Sequence, residues 1–266
     1  MLGTSLVINF TVDYPIRFNT WNGRFLSRLV EESLEDYGYR VQHNAKFKPF
    51  TITPILDDEG EVVSILKPHV PYWFRVSLFC RETNCQGVVD ALTKHEFKLS
   101  TGEVITINKV DVTNHRFESK TNNSSDAVVI HWRVRFWPTS FIFRSRYITW
   151  PSPARFLASA AQTLARVLRG SEVLMSKGGD SLAGVINDVD LKDFIRELVF
   201  NTEVVDFRVR RFTVDLGRGR KMPAFSGVAQ YVTFTQRPGL FMLLLDVANV
   251  YGVGKNRALG LGYVNA

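Results

Sequence analysis

Two glycine pairs, Gly252/Gly254 and Gly260/Gly262, bracket Lys255 and Arg257 near the end of the chain. Glycine permits backbone angles closed to other residues and lets a second backbone or a phosphate approach closely. Four glycines around two cations therefore read as an anion cradle. The familiar nucleotide cradles need their glycines after a strand and at the opening of a helix, or a Gly-Lys-Ser/Thr ending. Here a helical stripe, Leu240, Leu243, Leu244, Val247 and Val250, comes before the glycines and a strand after them, and Lys255 is followed by Asn256. A dinucleotide or nucleoside triphosphate is thus excluded, and a different polyanion is expected.

The elements that must position this loop fall into two rounds. In the first, Thr4–Val12 alternates as a strand, and a helix runs from about Trp21 to Asp36 on the stripe Phe25, Leu26, Leu29, Val30 and Leu34, with Asn19 or Thr20 as its cap and Gly38 to end it. A polar loop leads through Lys48-Pro-Phe-Thr51 into a strand. Asp57–Gly60 is a turn, and Glu61–Leu66 returns as the hairpin partner. Tyr72–Phe79 is a strand, Glu82–Leu92 a helix and Glu103–Val112 a strand. The polar run Ser119–Asp126 is the linker. In the second round Val128–Phe136 alternates cleanly. Ser152 and Pro153 open a helix to Leu168, Asp190–Phe200 is a short helix or turn, Val204–Thr213 and Gly227–Thr235 are strands, and Leu240–Val250 is a helix. Strand, helix, two strands, helix, strand is the ferredoxin-like order, and it occurs twice. The expectation is an α+β chain of tandem ferredoxin-like domains, 1–120 and 121–266, the second ending in the glycine-rich loop.

Composition narrows the partner. Of the 266 residues, 45% are hydrophobic, enough for a packed core, and no run of 18 apolar residues suggests a membrane span. The N-terminus has no secretory pattern, so a cytoplasmic protein is the expectation. Cys80 and Cys85 form neither a disulfide framework nor a zinc site, no acid or histidine cluster has metal-ligand spacing, and no cofactor is expected. Residues 1–126 carry 14 Lys/Arg against 16 Asp/Glu, and residues 127–266 carry 19 against 10, so the whole excess of +7 arises in the second half. That asymmetry points to nucleic acid or a membrane surface, and the lack of a cationic amphipathic helix discounts the membrane. The densest cations are Arg208, Arg210 and Arg211 on one strand and Arg218, Arg220 and Lys221 in the turn after it. Arg133 and Arg135 alternate with the apolar face of the strand from Val128, beside His131. Trp132, Trp137 and Trp150 are further aromatics, more often core than base-stacking platforms.

Lys48-Pro-Phe-Thr51, Ser152-Pro-Ala-Arg-Phe156, Phe225-Ser-Gly-Val-Ala-Gln-Tyr231 and Gly252-Val-Gly…Gly-Leu-Gly262 occur in that order across nearly the whole chain. With two ferredoxin-like domains, this set resembles the RAMP (RRM-like) superfamily of CRISPR-associated proteins, specifically the repeat-processing endoribonucleases of the Cas-six family. The resemblance implies binding of CRISPR repeat RNA and one metal-free cut per repeat. The 2′-hydroxyl beside the scissile phosphate attacks it, leaving a 2′,3′-cyclic phosphate and a 5′-hydroxyl. It also implies the residues. His43 stands where many members carry a histidine after the first helix, with Lys46 and Lys48 beyond it and Tyr39 before it. Histidine suits acid–base work near neutral pH, and Lys48, within the matching stretch, is the better lysine for the phosphorane. The same resemblance implies a basic hairpin at the base of the repeat's stem. It leaves open a homodimer, a crRNA-guided effector complex as partner, and the alternative of a non-catalytic RAMP subunit that binds guide RNA.

Overall fold

The computed structural model describes residues 2–36, 48–79, 82–93, 96–98, 102, 104–117, 126–169 and 188–266. The first round of elements is β1 (Leu2–Thr11), β2 (Ile16–Arg17), α1 (Asn22–Asp36), β3 (Phe50–Ile52), β4 (Ile65–Leu66), β5 (Tyr72–Leu78), α2 (Glu82–Leu92), β6 (Glu96–Lys98) and β7 (Val104–Arg116). The second is β8 (Val128–Thr139), β9 (Phe141–Phe143), β10 (Arg146–Ile148), α3 (Pro153–Arg169), α4 (Asp188–Phe200), β11 (Thr202–Asp215), β12 (Lys221–Thr235), α5 (Pro238–Tyr251) and β13 (Val264–Asn265).

The first sheet is ordered β3-β5-β1-β7-β6 and the second β11-β12-β8-β13. In both, the first and third main strands lie side by side at the centre, flanked by the second and the last. This is the ferredoxin-like topology, present twice. Each half has its own core: Leu6, Ile8 and Phe10 of β1 pack with Leu26, Leu29 and Val30 of α1 in one, and Trp132, Val134 and Phe136 of β8 pack with Phe156, Leu157 and Leu164 of α3 in the other. The apolar stripes read from the sequence are thus the buried ones. Pro153 sits at the first position of α3, and Ser152 Oγ accepts from the Arg155 amide at 3.4 Å. Among the described helices none is long and apolar enough to cross a membrane.

Two expectations are corrected. Asp57–Gly60 does form a turn, with Asp57 Oδ1 accepting from the amides of Glu59 and Glu61, but Glu61–Leu66 is not the partner of the strand at Phe50. Only a single bridge, Leu56 to Val62, closes the turn, while Ile65–Leu66 pairs with Ile16–Arg17 and β3 pairs with β5. The short strand before α1 captures this segment, an interaction too brief to leave a periodic signature in sequence. Neither expected cap holds: the first turn of α1 is approached through Trp21, whose carbonyl accepts from the Arg24 amide at 3.1 Å. Gly38 and the expected boundary at residue 120 lie outside the described residues.

Candidate nucleic-acid interface

A cleft of about 1090 Å³ opens between the two halves. One wall is β2 and the length of α1, from Arg24 and Arg28 to Glu31, Glu32 and Glu35. The other is the β11–β12 turn, with Arg218 and Arg220, and Leu259 of the glycine loop. The turn is fixed to the N-terminal end of α1. The Trp21 amide donates to Asp215 O at 2.8 Å, and Arg24 Nη1 to Leu216 O at 3.2 Å. Beneath lies a small apolar cluster, Val214, Leu216, Met222, Ala224 and Leu261, against which Trp21, Phe212 and Leu259 pack. The tip is tight because Gly217, Arg218 and Gly219 all take positive φ (75°, 54° and 73°), a left-handed run that two of the three meet by being glycine.

This geometry brings several of the expected cations together. Arg208, Arg210, Arg211, Arg218, Arg220 and Lys221 are all exposed. Strand register aligns Arg135, Val228 and Arg208 in one row, and Arg133, Gln230 and Asp206 in the next but one, so Arg133, Arg135, Arg208 and Arg210 share the outer face of the second sheet. Arg211, opposite the buried Phe225, points the other way. Arg135 is partly engaged: its Nη2 lies 2.6 Å from Glu61 Oε1 and its guanidinium 4.6 Å from the Trp137 ring centre. Trp132 and Trp137 are interior, whereas Trp150 is exposed.

Lys48 lies at the entry to β3, its side chain 13% exposed, with Nζ 3.1 Å from Glu31 Oε1 on the cleft wall. His43, Lys46 and Tyr39 lie outside the described residues; the segment that holds them, 37–47, begins where α1 ends and finishes at Lys48. The sequence reading missed Arg17, Arg24 and Arg28. The signal was present in the i,i+4 spacing of Arg24 and Arg28, on the face of α1 opposite the apolar stripe. Arg28 also bonds Glu32 at 2.7 Å.

The glycine loop is corrected most. Its amides are already used: Gly254 N donates to Ser159 Oγ (2.7 Å), Lys255 N to Ser140 O (2.9 Å), Gly260 N to Arg257 O (3.1 Å) and Gly262 N to Pro138 O (2.8 Å). Gly252 N caps α5 through Ala248 O at 2.8 Å, and Val253 N donates to Gly262 O at 2.8 Å. These amides are therefore committed to protein acceptors rather than to a phosphate. The glycines are required by backbone proximity instead: a Cβ on Gly262 would stand 1.8 Å from Val253 O, and one on Gly254 2.5 Å from Ser140 O. Arg257, expected to face phosphate, is buried. Its Nη1 bonds Thr163 Oγ1 at 2.5 Å and Gly252 O at 3.2 Å, and burial, with Arg166 nearby, lowers its pKa to about 9. Of the loop's two cations only Lys255 is exposed.

The loop and α5 join the halves. Ser77 Oγ donates to Val250 O at 2.6 Å, Tyr251 OH to Leu78 O at 3.1 Å, and the Trp21 indole to Leu259 O at 2.6 Å. Arg75, bonded to Asn249 O, lies 4.8 Å from the Tyr263 ring centre, and its pKa is lowered by burial. Burial raises the Tyr251 phenol. His115 bonds Ser5 Oγ at 2.7 Å on the first sheet, and burial, followed by Arg75, lowers its pKa.

Residues 134–264 match the family model described as CRISPR-associated endoribonuclease Cas6. Over that stretch the chain is similar to Cas6. The match covers most of the second half, including β12, α5 and the glycine loop. No curated protein matches the sequence. Among solved structures, Thermus thermophilus Cas6 in a product complex superposes with a TM-score of 0.68 at 18% identity, over 99% of both chains. A second Cas6 product complex gives 0.67 at 18%, over 100% of this chain and 99% of the other. A protein from a Cas6-related gene of Pyrococcus furiosus gives 0.51 at 14%, over 99% and 98%. At these identities the likeness is one of fold, and it extends through both ferredoxin-like halves of the Cas6 and RAMP architecture.

Proposed function

We propose that this chain is a Cas6-family, metal-independent endoribonuclease that cuts CRISPR precursor RNA within its repeats to give mature guide RNA. The match to the Cas6 family model supports repeat processing. The observation that carries the site is the course of the cleft: it runs along α1 from Thr20 to Glu35, between arginines of both halves. RNA held by Arg17, Arg24, Arg28, Arg218 and Arg220 would lie along α1, the helix that precedes His43 in the sequence. The exposed face carrying Arg133, Arg208 and Arg210 supplies further phosphate contacts, as does Lys255 at the loop's edge. Two of the cleft's glutamates, Glu31 and Glu32, are paired with Lys48 and Arg28, which reduces their repulsion of RNA.

In the reaction the 2′-oxygen bonds to phosphorus as it loses its proton, and the 5′-oxygen departs with a proton, leaving a 2′,3′-cyclic phosphate and a 5′-hydroxyl. His43 moves these protons, with Tyr39, which precedes it in the sequence, as a further candidate. Lys48, with Lys46 as the neighbouring cation, stabilises the charge that develops on the phosphorane. The Lys48–Glu31 pair holds the ammonium against α1 until RNA enters. A solved Cas6 described as a histidine-to-alanine mutant is among the matched structures and supports a histidine as the residue to test.

The test is incubation of labelled repeat RNA with the protein in chelator. The expected outcome is one cut per repeat with a cyclic phosphate end, slowed about 10²- to 10⁴-fold in His43→Ala without loss of binding. Binding without cleavage of any repeat would make the chain a guide-RNA-binding RAMP subunit instead. A full rate in His43→Ala would remove that residue from the mechanism.

A further inference from the structure

Between residues 127 and 171 the chain holds seven arginines and no Asp, Glu or Lys. Three of them, Arg144, Arg146 and Arg155, gather at a feature the cleft does not use. β9 and β10 form a separate two-stranded hairpin, paired Phe141 to Ile148, Ile142 to Tyr147 and Phe143 to Arg146. Only its base is held. Phe141 is buried in the second core and Ile148 packs against it. Beyond the base, Ile142, Phe143 and Tyr147 are 38%, 43% and 45% exposed, and Trp150, just after the hairpin, is 39% exposed.

Cations interleave with these aromatics. The Arg155 guanidinium lies 4.3 Å from the Phe143 ring centre and that of Arg144 lies 5.2 Å from it, so one exposed ring is flanked by two arginines. Arg144 and Ser145 both have positive φ (47° and 63°), the turn that closes a two-residue hairpin with the twist of its strands. This places the Arg144 side chain at the apex. Lys255, exposed, lies against the hairpin's root through its amide bond to Ser140 O. Arg144, Arg146 and Arg155 form no ion pair with the described residues.

We infer that the β9–β10 hairpin is a second RNA-binding surface, which takes unpaired RNA flanking the repeat. Bases stack on Tyr147 and Trp150, and phosphates meet Arg144, Arg146, Arg155 and Lys255. Charge and ring chemistry select this ligand. A protein partner of matching sign would leave the exposed rings to bury apolar surface among fixed cations, whereas single-stranded RNA offers a π-face and a phosphate at every step. Arginine in place of lysine suits both contacts, since the planar guanidinium stacks and binds phosphate bidentately. Paired RNA is a poorer fit because its bases are already stacked. The inference rests on the RNA-processing reading but concerns a different surface.

The experiment compares three labelled probes by fluorescence anisotropy: a minimal repeat RNA, the same RNA extended by an unpaired oligouridylate flank, and oligouridylate alone. Wild type is expected to bind the extended RNA about tenfold tighter than the minimal one, the gain of stacking about one base. Tyr147→Ala and Arg144→Ala/Arg146→Ala should abolish that gain and weaken oligouridylate binding, while leaving binding and cleavage of the minimal repeat unchanged. The double arginine variant should also flatten the logarithmic salt dependence of oligouridylate binding by about 1.4, at about 0.7 for each single-strand phosphate no longer neutralised. Equal binding of extended and minimal RNA by wild type, or variants that retain the gain, would overturn the hairpin's role. If wild type ignores the repeat but the variants lose oligouridylate binding, the repeat-processing reading falls and the hairpin stands.

Discussion

Substituting Gly23 by alanine separates two opposing effects. Gly23 is the second residue of α1 and has an ordinary helical backbone, so helix propensity alone predicts stabilisation by about 0.5–1 kcal/mol. The seam predicts the reverse. A Cβ on Gly23 would stand 2.1 Å from Leu259 O and 2.7 Å from the Trp21 indole nitrogen, and those two atoms are themselves hydrogen-bonded at 2.6 Å. Ordinary carbon–oxygen contact needs the carbonyl to retreat by about 1 Å. The retreat breaks the indole bond, about 0.5–1.5 kcal/mol, and displaces Leu259 from the cluster under the basic turn, an overpacking cost of about 1–3 kcal/mol. After the propensity gain the net destabilisation is about 0.5–4 kcal/mol, a melting temperature lower by roughly 1–16 °C for a chain of this length. Gly219→Ala is the control. Its φ is +73° but its Cβ meets nothing within 4 Å, so it should cost only the left-handed strain of about 1–2 kcal/mol. Thermal unfolding followed by circular dichroism measures both. A Gly23→Ala protein as stable as wild type, or more so, would refute the close docking of α1 on the glycine loop.

Other outcomes follow from the same contacts. Replacing Arg218, Arg220 and Lys221 by alanine removes three exposed cations, two of them lining the cleft, without touching the apolar cluster beneath. Repeat-RNA affinity should fall, and the logarithmic salt slope should lessen by about 2–3, at about 0.7–0.9 per phosphate; an unchanged slope would take the turn out of the RNA path. His115 titrates against folding. Its folded pKa is held below the ordinary 6.5 by burial and Arg75, so the unfolded chain takes up the proton first. Its contribution to stability is therefore full above pH 6.5 and is lost as pH falls through the lowered folded value. Wild type should lose melting temperature on acidification below pH 6.5 more steeply than His115→Gln, and parallel profiles would contradict the assignment.

The sequence carried the topology because each half repeats one pattern of alternation and helical stripe. β8 shows it most clearly, with Trp132, Val134 and Phe136 inside and His131, Arg133 and Arg135 outside. What it did not carry is which backbone approaches which. Gly252, Gly254, Gly260 and Gly262 announce close approach, but the partner is protein: Gly262, Ser140 and the Thr53–Pro54 segment stand where a phosphate was expected. Arg257 looked like an anion ligand because its burial depends on Thr163, 94 residues away. Arg24 was hidden within an amphipathic helix, and its contact with Leu216 joins elements from opposite halves. The candidate site was legible only as residue types, His43 with its lysines and the basic turn. The cleft that lines up α1 and that turn is a tertiary fact.

The central claim is transesterification on repeat RNA by a ribose 2′-hydroxyl, and a single-turnover comparison of two substrates tests it most directly. One is the repeat RNA; the other is identical except for a single 2′-deoxyribose at the scissile position. With the protein in excess and chelator present, the first should be cut to a 2′,3′-cyclic phosphate product, and the second should bind equally well and remain whole. Cleavage of the deoxy substrate at an undiminished rate would contradict the account.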